Sequence, residues 1–157
     1  LGETFVLPEA MTQEATMYVP GLDGGKMSKS RHNTLNIFDD PKALKKRINK
    51  EIVTDATPLE DPKNPEANVI HNLYRLMASK GQAAEMASAL QSGGYGWGHA
   101  KKALLEALVD GFAEERTRFH ELMADKRQID EALAQGAEKA RAVAADVLSR
   151  VRHASGY

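Results

Sequence analysis

Residues 39–53 read DDPKALKKRINKEIV, a stretch that combines a helix start with an amphipathic helix body. Asp40 offers an N-cap oxygen and Pro41 follows at the first helical position, so we predict a helix over residues 41–53. Three apolar residues recur every four positions on one face: Leu44, Ile48 and Ile52. The stretch therefore predicts a helix with a core-facing side and lysine-rich outer faces.

Similar signals predict helices through the rest of the chain. Three prolines in residues 57–65 indicate a linker, after which Asn64-Pro65 repeats the cap-and-proline pattern. Four glycines surround Tyr95 and Trp97 and indicate a turn over residues 92–98. The predicted helices are residue 65 up to Gly81, residues 82–91, residues 99–123, a short helix from Asp125 to Gly136, and a last helix through residues 140–151.

The first 38 residues lack helical periodicity. Residues 4–7 and 15–19 are short apolar runs closed by proline, and we predict strands or edge segments there. Residues 21–33 are rich in glycine, serine, aspartate and asparagine and indicate an exposed loop. The chain is therefore predicted to be mainly α, a helical bundle with a short irregular or β N-terminal arm.

Lys26-Met27-Ser28-Lys29-Ser30 is the strongest candidate for a functional site. It places two ammonium groups three positions apart, beside two hydroxyls and directly after Gly24-Gly25. Lysine is a compact charge on a flexible stem, which suits it to polyphosphate. A Walker A loop does not fit, because Pro20 stands where its first glycine is required. These residues alone leave a phosphate site and a solvated basic loop as equal alternatives.

The pentapeptide resembles the KMSKS signature of class I aminoacyl-tRNA synthetases, and its surroundings resemble the bacterial tryptophanyl branch of that class. The resemblance runs from about Phe5 to Arg152. The further matching features are Asn33, Leu35, Ile37, Phe38, Asp39-Asp40-Pro41, the basic helix, Val53-Thr54-Asp55, Gly94-Tyr95-Gly96, Lys101-Lys102 and residues 133–141. The implied fold is the C-terminal part of a Rossmann-type α/β enzyme. Residues 1–38 would end the catalytic nucleotide-binding domain, and residues 39–157 would form a helical anticodon-binding domain.

The resemblance implies a reaction of two steps. Tryptophan and ATP give tryptophanyl-adenylate and pyrophosphate, and the tryptophanyl group then passes to tRNA(Trp). Lys26 and Lys29 are the expected catalytic residues, because the loop of this family closes over ATP and stabilises charge that develops on the pyrophosphate. Mg²⁺ is expected to arrive on ATP, held mainly by phosphates and water, with no metal bound by the protein.

Four other residues are expected to bind ATP together with the two lysines. Ser28 and Ser30 are expected to donate through hydroxyl or backbone groups. Met27 is expected to anchor the loop on an apolar patch. Met17, on the segment before the loop, is expected to contact the adenine through its backbone.

The helical region is expected to contact tRNA. Its candidate phosphate-binding residues are Lys45, Lys46, Lys101, Lys102, Arg116 and Arg118. Tyr95 and Trp97 are candidates for base stacking, although core anchoring is the commoner role of such residues. Residues 99–157 hold ten basic and ten acidic groups, which is equally typical of a solvated surface. The full-length relatives imply a homodimer.

Two other functions stay open: a tyrosyl or other class I ligase with the same loop, and a non-catalytic helical RNA-binding module. The chain begins at Leu1 rather than methionine, and we expect the amino-acid pocket to lie upstream of it. The 157 residues alone are therefore expected to be inactive.

Composition excludes several classes of protein. The absence of cysteine excludes disulfides, cysteine-bound zinc and thiol catalysis, and it fits a cytoplasmic location. No two of the five histidines have a metal-binding spacing. No apolar run reaches the roughly 18–20 residues of a membrane span. The net charge is −1, but residues 26–50 hold eight basic and two acidic groups, a local charge of +6 that suits a polyphosphate.

Overall fold

The computed structural model describes residues 4–13 and 17–157. Among these residues there are α-helices and no β-strand. The helices are α1 Pro41–Glu51, α2 Val69–Tyr74, α3 Lys80–Ser92, α4 Trp97–Gly111, α5 Ala113–Ala124 and α6 Arg127–Ser155. The prediction of a mainly α chain with an irregular segment before the first helix is confirmed.

The chain divides into two compact units. One is Thr12–Thr117, and the other joins Leu1–Met11 to Arg118–Tyr157. The boundary between the two units falls within α5, and it separates compact regions rather than functional domains. The functional boundary after residue 38 stays a prediction.

Helix α1 forms as its sequence predicts. The Asp40 carboxylate accepts hydrogen bonds from the backbone N–H groups of Lys42 and Ala43, at 2.9 and 3.0 Å. These two donors would otherwise lack a partner at the helix start, and Pro41 has no N–H to satisfy. Leu44 and Ile48 are fully buried, so the predicted apolar face is the face that packs inward.

The core of the first unit is formed by α1 to α4 together with one residue of the arm. Its buried residues are Leu22, Ile48, Ile52, Val69, Ile70, Leu73, Met86, Leu90, Ala100, Leu104 and Leu108. Leu22 connects the arm to this core, because its carbonyl accepts a hydrogen bond from Val53 N, just beyond α1, at 2.9 Å. The helices thereby hold one end of the loop that follows Leu22.

The predicted start of the second helix is wrong. Asn64 does not cap a helix; its Oδ1 accepts from Glu66 N within a turn, and Asn68 N donates to Pro65 O. Asn68 is the N-cap of α2, with Oδ1 accepting from the backbone N–H groups of residues 70 and 71. An asparagine before a proline can form a local turn as well as a cap, so the sequence pattern is ambiguous.

Other helix limits also differ from prediction: α1 ends at Glu51 rather than residue 53, α2 ends at Tyr74, short of Gly81, and α4 begins at Trp97 rather than residue 99. Helix α3 begins at Lys80, because Ser79 and Gln82 form a capping box that places Gly81 inside the first turn. Residues 99–123 form two helices, separated at Phe112, which packs against the core. Gly136 does not end a helix; α6 continues to Ser155, and Gly156 has the positive φ of 82° that terminates it.

The predicted strands are also wrong where the structure describes them. Residues 4–7 form no strand, and Phe5, Val6 and Leu7 are exposed. Residues 15 and 16 lie outside the described residues, and residues 17–19 form no strand. A strand needs a neighbour to satisfy its backbone, and the pairing nearest to these runs is a single antiparallel bridge between Pro20 and Lys26.

Candidate functional site

The pentapeptide lies on a loop of residues 20–33, called here the signature loop. Short backbone hydrogen bonds close it: Gly21 N donates to Gly25 O at 2.6 Å, and Gly24 N donates to Gly21 O at 3.0 Å. Gly24 has a φ of 80°, a conformation that other residues rarely adopt. Met27 N donates to Val19 O at 2.9 Å and extends the pairing begun by the Pro20–Lys26 bridge.

The two lysines of the pentapeptide are exposed, and its methionine is not. Lys26 and Lys29 form no ion pair with a carboxylate of the described residues, so both ammonium groups face solvent without a competing anion. Met27 is partly buried and packs against the helical core. This packing agrees with an apolar anchor between the two charges, and a contact of Met27 with ATP stays a prediction.

Ser28 and Ser30 form a pair of hydroxyls at the turn of the loop. Their Oγ atoms are 2.9 Å apart, and a short 3-10 helix, Lys29–Arg31, follows Ser28. His32 then adopts a left-handed conformation with φ 56°, which reverses the chain. Arg47 of α1 donates to the His32 carbonyl at 3.1 Å, so the first helix supports this reversal.

Asn33, Asp23 and the backbone of Lys26 and Ser28 form a polar cluster within the signature loop. Asn33 is only 4% exposed, and its side chain bonds to the backbone of Lys26 and Ser28 and to the carboxylate of Asp23. The hydrogen bond from Asn33, followed by those from Gly25 and Arg31, lowers the pKa of Asp23. Asp23 is therefore a carboxylate at neutral pH and accepts these bonds in its ionised form. Asn33 matches the family pattern in the sequence, but no local sequence signal indicates its role in the loop.

Met17 borders a cleft beside the signature loop. Its side chain is 71% exposed, and the cleft has a volume of 440 Å³. Tyr18, Gly24, Glu66 and Arg75 also line it. Met17 thus lies beside the signature loop, and its contact with the adenine stays a prediction.

Arg116 is not available to bind phosphate. It is 8% exposed, and its guanidinium donates to the carbonyls of four residues: Ile37, Asp39, Leu108 and Val109. These bonds connect α5 to the end of α4 and to the segment before α1. Arg116 therefore stabilises the fold, and the predicted phosphate contact at this position is wrong.

Lys101 is also engaged by the fold. Its ammonium donates to the carbonyls of Asn49 and Ile52 at 3.0 and 3.2 Å, at the C-terminal end of α1. A cation at that end of a helix satisfies unpaired carbonyls and interacts well with the helix dipole. Burial lowers the pKa of Lys101. Lys102, by contrast, is exposed and lies 3.7 Å from Glu106.

Tyr95 and Trp97 both pack against the core and are only partly exposed. Lys63, which the sequence analysis left inside a linker, is 3% exposed and lies 5.7 Å from the centre of the Trp97 ring. Its ammonium donates to the carbonyls of residues 58, 59 and 61. This buried cation stabilises the proline-rich segment around the tryptophan, a role that no local sequence pattern indicates.

The described residues lack two features of other classes of protein. They contain no group of three or more histidine, aspartate or glutamate side chains arranged to hold a metal ion. None of their helices is long and apolar enough to cross a membrane.

Comparison with known proteins identifies the family. A sequence profile of the family described as tRNA synthetases class I (W and Y) matches residues 1–113. The chain belongs to this family. The match includes the whole signature loop and the helices of the core around it.

Relatives from several bacteria agree with this assignment. The chain is 44% identical over 155 residues to the tryptophan–tRNA ligase of Rhodopirellula baltica, covering 99% of this chain and 48% of that one. It is 37% identical to the Fusobacterium nucleatum ligase over 98% of the chain and 47% of that one. The chain thus spans about half the length of the curated relatives it matches.

Solved structures give the same result. The tryptophanyl-tRNA synthetase of Campylobacter jejuni, complexed with ADP and tryptophan, matches with a TM-score of 0.82 and 40% identity, over 99% of this chain and 49% of that one. A second structure of the Campylobacter jejuni protein matches with a TM-score of 0.80. The family, and with it the fold of this segment, is therefore established by sequence and by structure.

Proposed function

We propose that this chain is the part of a tryptophan–tRNA ligase that closes over ATP and contacts tRNA(Trp). The observation that carries the proposal is the pair Lys26 and Lys29, both exposed on a loop that is anchored at Met27 and Asn33. The family supplies the reaction class, and relatives 37–44% identical over nearly the whole chain favour tryptophan over tyrosine.

In the activation step, tryptophan attacks the α-phosphate of ATP, tryptophanyl-adenylate forms, and pyrophosphate leaves. Negative charge grows on the pyrophosphate as the bond to it breaks. Catalysis requires an interaction that is stronger in the transition state than in bound ATP. Two ammonium groups held at the loop meet this requirement, because they stabilise the charge that grows on the pyrophosphate. Neither lysine has an ion-pair partner among the described residues, which leaves both free for this role.

The remaining loop residues would position ATP. Ser28 and Ser30 supply hydroxyl and backbone donors, and the backbone at Met17 meets the adenine. The ADP in the Campylobacter jejuni complex supports a nucleotide as ligand. Mg²⁺ would arrive with ATP, bound by phosphate oxygens and water.

Residues 39–157 would contact tRNA, with residues 1–38 ending the catalytic domain. The candidate basic residues that stay exposed are Lys45, Lys46, Lys102 and Arg118. Binding through phosphates would weaken as the salt concentration rises. We further propose that the intact ligase is a homodimer in the cytoplasm, with its tryptophan pocket outside this chain.

The test is amino-acid-dependent exchange of labelled pyrophosphate into ATP by the intact protein that carries this chain. We expect exchange with tryptophan and none with tyrosine. Exchange with tyrosine would assign a tyrosyl ligase instead. Absence of exchange with every amino acid would favour a helical RNA-binding module. The isolated 157-residue chain should show no exchange, because it spans only about half the length of the ligases it matches.

A further inference from the structure

Asn33 connects the two catalytic lysines to the rigid part of the molecule. We propose that it is a positioning residue: its buried carboxamide fixes the backbone on both sides of Met27, so that Lys26 and Lys29 meet the pyrophosphate in one geometry. This inference rests on the proposed function and gives it a residue outside the pentapeptide.

The carboxamide of Asn33 makes three hydrogen bonds within the signature loop. Nδ2 donates to the Lys26 carbonyl at 3.1 Å and to Asp23 Oδ1 at 2.6 Å. Oδ1 accepts from Ser28 N at 2.8 Å. A single side chain therefore fixes the backbone of Lys26 and the backbone of Ser28, the residue directly before Lys29.

The surroundings of Asn33 show that the site is closely fitted. A Cβ atom at Gly21 would collide with the Asn33 carboxamide, so the backbone at Gly21 approaches this side chain more closely than any other residue would permit. The Asn33 carbonyl accepts from Leu22 N at 2.8 Å, and Leu22 is a buried core residue. The core residue Leu22 therefore fixes the backbone of Asn33, and the side chain of Asn33 fixes the signature loop.

The chemistry requires an amide. The site needs two donors and an acceptor on a short side chain, which asparagine supplies. An aspartate would lose both donors and place a second carboxylate against Asp23 Oδ1. Alanine would remove all three bonds and leave the part-buried Ser28 N–H and Lys26 carbonyl to find other partners.

Positioning matters here because the lysine side chains are long and exposed. Their stems have many conformations, so the only fixed part of each is the backbone from which it starts. A displacement of about 1 Å at a catalytic group costs as much as roughly 100-fold in rate. Loss of the Asn33 contacts would displace both starting points together.

The experiment uses the intact protein and tryptophan-dependent pyrophosphate exchange. We expect Asn33→Ala to lower kcat by about 10- to 100-fold with the KM for tryptophan unchanged. The matched control is Asn36→Ala, an exposed asparagine whose bonds to Phe38 N and Asp39 do not reach the signature loop. Asn36→Ala should retain the wild-type kcat.

A double-variant cycle with Lys26→Ala separates positioning from general damage. If Asn33 acts through the lysines, Lys26→Ala with Asn33→Ala should lose clearly less than the product of the two single effects. Asn33→Asp, which keeps the volume and the acceptor, provides a second variant if Asn33→Ala does not fold. We expect Asn33→Asp to lower kcat and to speed hydrogen exchange in the peptide covering residues 26–33.

The possible outcomes separate a failure of the positioning role of Asn33 from a failure of the proposed function. A wild-type protein without exchange would overturn the proposed function itself. An active wild type, slowed by Lys26→Ala but unaffected by Asn33→Ala and Asn33→Asp, would overturn the positioning role alone. Effects of Asn33→Ala and Lys26→Ala that multiply fully in the double variant would overturn it as well.

Discussion

The signature loop and the helical core that supports it are stabilised in different ways. The core is apolar: Leu104, Ile48 and Ile70 are fully buried. The loop is held by hydrogen bonds around Asn33 and by two apolar anchors, Leu22 and Met27, while its lysines stay in water. The residues that stabilise the fold therefore differ from those proposed for catalysis, and substitutions should affect one property with little effect on the other.

A cavity in the core is the largest expected effect on stability. Leu104→Ala removes a fully buried side chain of α4 and should lower the free energy of unfolding by about 2–5 kcal/mol. The measurement is urea unfolding followed through Trp97, the one tryptophan of the chain. The matched control Leu133→Ala, at a leucine 65% exposed, should cost at most about 0.5 kcal/mol. Equal losses for both variants would contradict the assignment of the core.

Loss of the buried guanidinium should have a smaller effect. Arg116→Met keeps much of the apolar stem but removes the donors to four carbonyls, so we expect a loss of about 1–3 kcal/mol. Arg118→Met, at an exposed arginine, is the control and should change stability little. A normal stability of Arg116→Met with weakened tRNA binding would restore the phosphate contact that the structure argues against.

Loss of the α1 cap should be the smallest of the three effects. Asp40→Ala removes the acceptor for the N–H groups of Lys42 and Ala43 and should cost about 1 kcal/mol. Asp40→Asn retains an acceptor and should recover most of that loss. If Asp40→Asn is as unstable as Asp40→Ala, the side-chain cap does not stabilise this helix.

Local sequence was sufficient where local contacts determine the structure. The cap at Asp40 and the apolar face of α1 both involve neighbours within one or two turns, and both were predicted correctly. The pentapeptide located the candidate site for the same reason, since its charges and glycines are adjacent in the chain. Asn64 shows the limit of this reasoning: two local hydrogen-bonding patterns compete there, and the sequence does not decide between them.

Contacts between distant residues could not be predicted. Arg116 lies among charged residues of a helix, and only the fold brings the carbonyls of Ile37 and Asp39 to it, 79 and 77 residues away. The role of Asn33 likewise depends on the approach of Gly21, which no periodicity indicates. The roles of Arg116 and Asn33 therefore become visible only in the tertiary structure, because the fold sets their hydrogen-bond partners.

The proposed role of the signature loop depends on the charge of its lysines, and one measurement tests this directly: the rate of tryptophan activation by the intact protein with Lys29→Ala. We expect a decrease of about 10²–10³-fold, with tryptophan affinity and unfolding unchanged, because one preorganised donor to the developing charge is lost. Lys80→Ala, at an exposed lysine of α3, is the control and should be as fast as the wild type. An unchanged activation rate in Lys29→Ala would contradict the catalytic role of the loop.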